Sequence, residues 1–460
     1  MLAAMLRKTL KACAWTVGTL IALAVAIYVA AVAVNWRDQP PSPDALRLAA
    51  SYEARPPLSN DDNAFIYLLG FDAPLGDDPP EVGARRLTWL RSIGERPIDT
   101  GDDPQTTHLD YLSTDRVVEE FLNACDDDTR ECAVAFPGGG DAFELWNSTH
   151  PWLLARYLEL IAHASWREEV FDLSAPLPSY APVMHGQRLL LLQVKVLADQ
   201  GGTRAASELL ASDARFWRMV LASSDLLITK MIAAAALRRH FDWGSLSVRS
   251  FPSGSAATGI PDEWRQPMTD AELSLRRTLV GEWIIFSKVP VMLGSDVALG
   301  ETFASRLSDR LLRPLFQPQD TLNRHATYLG ELADALDAPL PDCAAAGDRA
   351  SLLGWQRTQE GLPPRSVYNV VGSTAMAAGA GDYGAYAYRV CDIEGMRRGA
   401  LSVVLLRDGA TSAADAPEAL AASPLRNPYD DEPLRWDADE RAVIFVGLEP
   451  GERGEHRYYY

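Results

Sequence analysis

Short catalytic signatures are what this sequence lacks. It contains no G-x-S-x-G, S-x-x-K, H-E-x-x-H, Walker A loop or C-x-x-C pair. The usual sequence-level grounds for an elbow serine hydrolase, penicillin-binding chemistry, a zincin, a P-loop nucleotide hydrolase or a thioredoxin-type redox enzyme are therefore missing. Histidine is scarce and scattered: His108, His150, His163, His185, His240, His325 and His456. No two of them stand three or four residues apart, so no helical metal pair forms locally. Positive charge is also in deficit, with 43 Lys and Arg against 62 Asp and Glu and a net charge of −19. That balance keeps a domain soluble and argues against nucleic acid or an anionic lipid surface as the main partner.

Long hydrophobic runs are limited to one, residues 12–34, ACAWTVGTLIALAVAIYVAAVAV. At about 1.5 Å per residue a helix of that length spans the roughly 30 Å hydrocarbon core with some tilt. Trp15 and Trp36 stand near its ends, where amphipathic rings prefer the headgroup layer. Arg7, Lys8 and Lys11 precede it, and no acidic residue comes before Asp38. The basic flank is expected to stay in the cytoplasm, placing the rest outside. Ala31-Val32-Ala33 offers a cleavage pattern, but a secretory h-region is only about 7–15 residues, so an uncleaved signal-anchor is the expectation. The address expected is the bacterial inner membrane, single-pass, with a periplasmic C-terminal part.

Only five cysteines occur. Cys13 lies inside the apolar run as a small hydrophobe. Cys125, Cys132, Cys343 and Cys391 make an even number in a compartment that permits disulfides. Of three pairings, Cys125 with Cys132 and Cys343 with Cys391 is favoured by sequence proximity and shared region.

The expected fold is mainly α: residues 1–36 a cytoplasmic stub and transmembrane anchor, 37–57 a Pro-rich stem, 58–340 a helical ectodomain, and 341–460 a small helix-plus-hairpin module. Capping and 3–4 spacing predict helices after Ser59 or Asn60, over 81–93 before Gly94, from Val117, from Pro151, around 189–197, over 204–223 and over 225–241. A T-x-x-E capping box at Thr269 and Glu272 opens another to about Ser287, and more follow over 301–312, 321–336 and 383–406. Runs 433–436 and 442–446 around Asp437-Ala438-Asp439-Glu440 read as a β-hairpin. No element is assigned to the tail His456-Arg457-Tyr458-Tyr459-Tyr460.

Asn427-Pro428-Tyr429-Asp430 followed by Glu432-Pro433-Leu434-Arg435-Trp436 resembles the ending of exported bacterial proteins that finish in a helix and a small hairpin. Pro318, Thr321-Leu322-Asn323, the turn at residues 369–372, Arg389, Asp392 and Gly395 extend a resemblance to uncharacterised, inner-membrane-anchored periplasmic proteins of Gram-negative bacteria. That group has no assigned activity, so the resemblance implies an address and a fold but no chemistry.

Candidate site residues are weighed against duller roles. Lys230 in LLITKMIAAAAL and Glu282 in LVGEWIIF are charges within apolar helices and are expected to pair across two packed helices. Such a pair is more often structural than catalytic, although perturbed buried groups do cluster at functional sites. Glu159 and His163 read as an exposed i, i+4 ion pair. Asp126, Asp127, Asp128 and Glu131, and likewise Asp430, Asp431 and Glu432, read as solvated acidic loops rather than calcium ligands. Gly138-Gly139-Gly140 reads as a loop. No metal and no cofactor is implied. Three functions remain: a scaffold with an envelope protein partner, which leads; a carboxylate-based hydrolase of cell-wall or exported polymers; and a small-ligand sensor.

Overall fold

The computed structural model describes residues 2–93, 103–104, 108–126, 129–171, 175–252, 259–294, 303–360 and 367–460, and 69% of the chain is helical, with few strands. The apolar run forms one helix, Leu2–Val34. Its segment Thr9–Val34, 26 residues at a mean hydropathy of 2.6, is long and apolar enough to cross a membrane. Trp15 and Trp36 are exposed at its two ends.

The stem is not a free spacer. Pro43–Glu53 is a helix capped by Ser42, and its Ala45 and Leu48 are buried with Leu279, Trp283, Leu329 and Leu332. The segment just before it is held by polar contacts. Asp38 accepts from the main-chain N–H groups of Gln319 (2.6 Å) and Asp320 (2.9 Å), supplying the orphan donors at the start of the helix Pro318–Leu336. Asn35 is buried; it accepts from Asn369 N–H at 2.7 Å and donates to the Val367 carbonyl at 2.9 Å. Asn369 holds a left-handed backbone (φ 54°), which Asn tolerates better than most residues.

The central core is built from four helices, Pro151–Ile161, Tyr180–Asp199, Thr203–Ser223 and Leu227–Val248. Leu189, Leu190, Leu191 and Leu192 are all fully buried, as an all-round apolar stretch requires. Leu227–Val248 runs seven residues past the expected end, because Trp243, Leu246 and Val248 continue to bury there. The Thr269–Glu272 capping box forms, but its helix is only Asp270–Leu273. Ser274 turns extended, and Glu272 is drawn into a buried ion pair with Arg218 (2.6 Å) before Arg276–Gly294 begins. Asn63 caps Ala64–Leu69, in place of Ser59 or Asn60. The Gly138-Gly139-Gly140 run is helical, closing a short turn and opening Gly139–Thr149. Cys343–Glu360 and Val370–Ala378 are helices beyond those expected; the second is capped by Asn369, which accepts from the Gly372 N–H at 3.1 Å, so the residues 369–372 turn is its first turn. Gly94 and Glu301 lie outside the described residues.

The helix Tyr383–Asp408 carries Ile393, Met396, Val403 and Val404 into the same core as the four central helices, so the expected 58–340 and 341–460 parts interleave. A three-stranded antiparallel sheet lies on it: β1 (Arg435–Asp437), β2 (Ala442–Val446) and β3 (Glu455–Tyr459), in that order. The expected hairpin is present, and the unassigned tail is its third strand, with Val443 opposite Tyr458 and Phe445 opposite His456. Gly395 and Gly399 admit the sheet. A Cβ on Gly395 would stand 2.0 Å from the Phe445 ring, and one on Gly399 would stand 2.4 Å from the Tyr458 ring.

The sulfurs of Cys125 and Cys132, and of Cys343 and Cys391, stand at disulfide distance, which is the favoured pairing. The first closes a loop of sequence separation 7 and the second one of 48. Loop-closure entropy then assigns about 2 kcal/mol to the former and about 4 kcal/mol to the latter. Replacing Cys343 and Cys391 by Ser should therefore lower the denaturation midpoint more than replacing Cys125 and Cys132, as measured by urea unfolding under oxidising conditions.

Candidate functional site

A cavity of about 450 Å³ opens where Leu227–Val248, the Cys125–Cys132 segment, Tyr383–Asp408 and the C-terminal strand meet. This volume lies in the range of small-molecule sites. Leu227–Val248 presents Met231, Ala234, Arg238, Asp242 and Leu246 to it at spacings of three and four, with Ala235, Arg239 and Trp243 alongside. Tyr383–Asp408 adds Arg389 and Met396, and the tail adds Glu449, Arg453, Arg457 and Tyr459. The two helices bring both apolar and charged side chains to the lining, and the segment after the sheet's second strand adds mostly charged ones.

Five guanidinium groups line the cavity (Arg238, Arg239, Arg389, Arg453, Arg457) against three carboxylates (Asp126, Asp242, Glu449). In a chain of net charge −19, this is a local reversal of sign. The carboxylates are all engaged. Asp126 pairs with Arg188, Asp242 stands 3.7 Å from Arg238, and Glu449 is 3.0 Å from Arg389. Arg457 is held by Asp437 (3.0 Å), Glu440 (2.8 Å) and Glu455. Among the described residues, Arg239 and Arg453 have no ion pair. Arg453 is exposed at the mouth. Arg239 is largely covered, and burial, together with the neighbouring Arg188, pushes it down to about 10.

What Arg239 does have is a neutral partner, the Gln187 side-chain carbonyl at 3.1 Å. Gln187 in turn donates to Asp213 at 3.2 Å and to the Ala236 carbonyl at 2.9 Å. Asp213 is fully buried and also accepts from Tyr157 and, at 2.7 Å, from His240 Nδ1. An indole N–H can only donate, so Trp264, 2.7 Å from His240 Nε2, assigns the ring hydrogen to Nδ1. Burial and the adjacent Asp213 raise the Tyr157 hydroxyl well above its ordinary value. The cavity arginine is therefore held by a fixed neutral amide and set near a buried anion, and no carboxylate directly neutralises it.

Asp392, one of the residues that carry the resemblance to inner-membrane-anchored periplasmic proteins, supports the opposite side of the cavity. Its carboxylate caps the N–H groups of Leu448 (2.8 Å) and Glu449 (3.3 Å) and accepts from Tyr429 at 2.6 Å. Burial pushes it up to about 6. It positions the turn from which Glu449 and Arg453 reach the cavity.

The residues singled out in the sequence fall elsewhere. Lys230 and Glu282 do not pair with each other. Lys230 is buried and donates to the carbonyls of Leu221 and Glu272, both at 2.7 Å, because the last turn of Thr203–Ser223 offers orphan acceptors. Burial lowers it to about 7. Glu282 accepts from Leu227 N–H at 3.1 Å, and burial raises its carboxyl. The Glu159 carboxylate accepts a hydrogen bond from the Tyr67 hydroxyl (2.6 Å) rather than from His163, whose Nδ1 meets the Glu159 main-chain oxygen at 3.0 Å. Asp126 belongs to the cavity through Arg188, whereas Asp127 and Asp128 lie outside the described residues. Asp430, Asp431 and Glu432 form a turn in which Asp430 accepts from Glu432 N–H at 3.0 Å. The arginine cluster was missed. Its one sequence signal is Arg238-Arg239 with Asp242, an abrupt charge group following Ile232-Ala233-Ala234-Ala235-Ala236-Leu237.

Comparison with known protein families, curated proteins and solved structures gives no match to this chain.

Asp242 reports on the cavity. Burial pushes its carboxyl up to about 6, against the pull of Arg238 and Arg239, and its Oδ1 has no hydrogen-bond partner among the described residues. The folded value lies above the roughly 3.9 of an unfolded Asp. The native state therefore takes up this proton first, and stability falls as pH rises from about 4 to 6. Asp242→Asn should melt close to the parent near pH 4 and gain on it, by up to about 3 kcal/mol, above pH 7. Thermal unfolding of both proteins across that range measures this difference.

Proposed function

We propose that this chain is a membrane-anchored envelope protein whose exported body binds a small anionic molecule in the arginine-lined cavity. Of the three functions the sequence leaves open, this is the ligand-sensing one. The observation that carries it is Arg239, a covered guanidinium with no carboxylate partner among the described residues, in a cavity where cations outnumber anions. A half-buried cation with no direct carboxylate partner carries a desolvation cost, and a ligand carboxylate or phosphate, which matches the guanidinium fork, offsets it. The apolar lining side chains Met231, Ala234, Leu246 and Met396 suit a ligand whose anionic group is joined to an aliphatic or aromatic portion. The hydrolase reading draws less support, since each lining carboxylate already stands beside an arginine.

The address is part of the proposal. The apolar helix supports single-pass insertion in the bacterial inner membrane. The basic residues before it support a cytoplasmic N-terminus, and the two cysteine pairs support an oxidising periplasmic environment for the body.

Calorimetry on the detergent-solubilised full-length protein tests the reading, with pyrophosphate, citrate and decyl phosphate as probes and octyl glucoside as the uncharged control. At least one anion should bind while the control does not. Arg239→Gln should weaken that binding about tenfold or more, the worth of a charge-assisted hydrogen bond of 1.5–3 kcal/mol. Affinity should also rise as pH falls through about 6, where Asp242 loses its negative charge. If no anion binds beyond a matched chloride control, or if Arg239→Gln binds as the parent does, the reading is wrong.

A further inference from the structure

A short amphipathic helix of the body lies against the apolar N-terminal helix. The helix Phe303–Leu312 begins after Arg276–Gly294 and ends beside the anchor. Tyr28 donates its hydroxyl to the Leu311 carbonyl at 3.1 Å, meeting an acceptor that the last turn of a helix leaves unpaired. Tyr28 lies six residues before Val34, the last residue of the apolar run. At about 1.5 Å per residue the contact lies about 9 Å inside the end of that run. Leu307, Leu311 and Leu312 are exposed large hydrophobics on this segment, with Arg310 and Arg313 exposed beside them. Leu307 and Leu311 are one helical turn apart and share a face.

The clamp just beyond the anchor fixes this placement. Asn35, bonded to Val367 and Asn369, and Asp38, bonded to Gln319 and Asp320, hold the body to the residues immediately following the span. Gln317 adds a bond to the Asn35 carbonyl at 2.6 Å. The body therefore cannot swing away on a flexible stem, and Phe303–Leu312 stays at the depth that Tyr28 sets.

Resting on the membrane-anchored reading above, we infer that Phe303–Leu312 is an in-plane interfacial helix. Leu307, Leu311 and Leu312 enter the lipid of the bilayer that Thr9–Val34 crosses, and Arg310 and Arg313 lie at the level of the lipid phosphates. Apolar residues on one side and arginines at the boundary are what such helices require. The occupant of the exposed face is phospholipid, because the face is continuous with the span itself.

Site-directed spin labelling of the full-length protein in phosphatidylcholine–phosphatidylglycerol vesicles tests this. Cys13→Ser provides a background without a free thiol. Labels go at Leu307→Cys and Leu311→Cys, with Val134→Cys, 82% exposed, as the aqueous reference. Power saturation should show the two leucine positions colliding several-fold more with oxygen than with a water-soluble nickel chelate, and Val134→Cys showing the reverse. Leucine positions as open to nickel as Val134→Cys would overturn the inference while leaving the anchor intact, provided the protein floats with the vesicles. A protein that fails to float overturns the anchoring reading and the inference with it. Dipolar broadening at Leu311→Cys that vanishes on dilution with unlabelled protein would assign the face to a second copy and also overturn the inference.

Discussion

The buried carboxylate of Asp213 is the constraint on which the core depends. It sits on Thr203–Ser223 and is met by Tyr157 from Pro151–Ile161, Gln187 from Tyr180–Asp199 and His240 from Leu227–Val248. All four central helices are thereby tied to one charged atom pair in a region without water access. A buried carboxylate is tolerable only when its acceptor sites are filled, and here the three donors also fix helix register. Trp217 and Trp264 extend the network, donating to Tyr157 at 2.8 Å and to His240 at 2.7 Å. Removing one donor would leave part of a charge unsatisfied in the core, so the network specifies one packing of the four helices.

The same network reaches the cavity. Gln187 uses its amide N–H on Asp213 and its carbonyl on Arg239, so core order becomes side-chain order at the site. The guanidinium is held at a fixed point with no direct ion pair among the described residues, its nearest carboxylates acting only at a distance, a combination suited to recognising an anion. Asp392 does the equivalent on the far wall by fixing the turn before Glu449 and Arg453. The cavity thus has two supported sides, one from the helical core and one from the C-terminal sheet.

Local features were legible in the sequence. The apolar helix needs no partner to be recognised, because hydropathy over 26 residues marks it as long and apolar enough to cross a membrane. The Cys125–Cys132 pair and the Asp437–Glu440 turn, likewise, follow from neighbours in sequence, and Cys343 with Cys391 from their shared C-terminal region. What sequence could not show is whatever depends on distant segments. Arg239 and Arg453 are more than 200 positions apart and converge only because Gly395 and Gly399 let β2 and β3 lie against Tyr383–Asp408. Lys230 was recognisable as a charge in an apolar helix, but its partners are main-chain carbonyls, which leave no trace in residue type. The capping box at Thr269 formed as written, with Glu272 also pairing with Arg218, yet its helix stopped after four residues where Ser274 turns extended. The tail His456–Tyr460 shows no clear alternation and becomes a strand only because β2 offers it an edge.

The proposed function turns on Arg239 and its neighbouring arginines forming an anion site. Anomalous diffraction from crystals of the full-length protein equilibrated with selenate addresses it most directly. A selenium peak inside the cavity, within hydrogen-bonding reach of Arg239 and reduced in Arg239→Gln crystals, is the predicted result. Peaks confined to exterior arginines, with none inside the cavity, would contradict the claim.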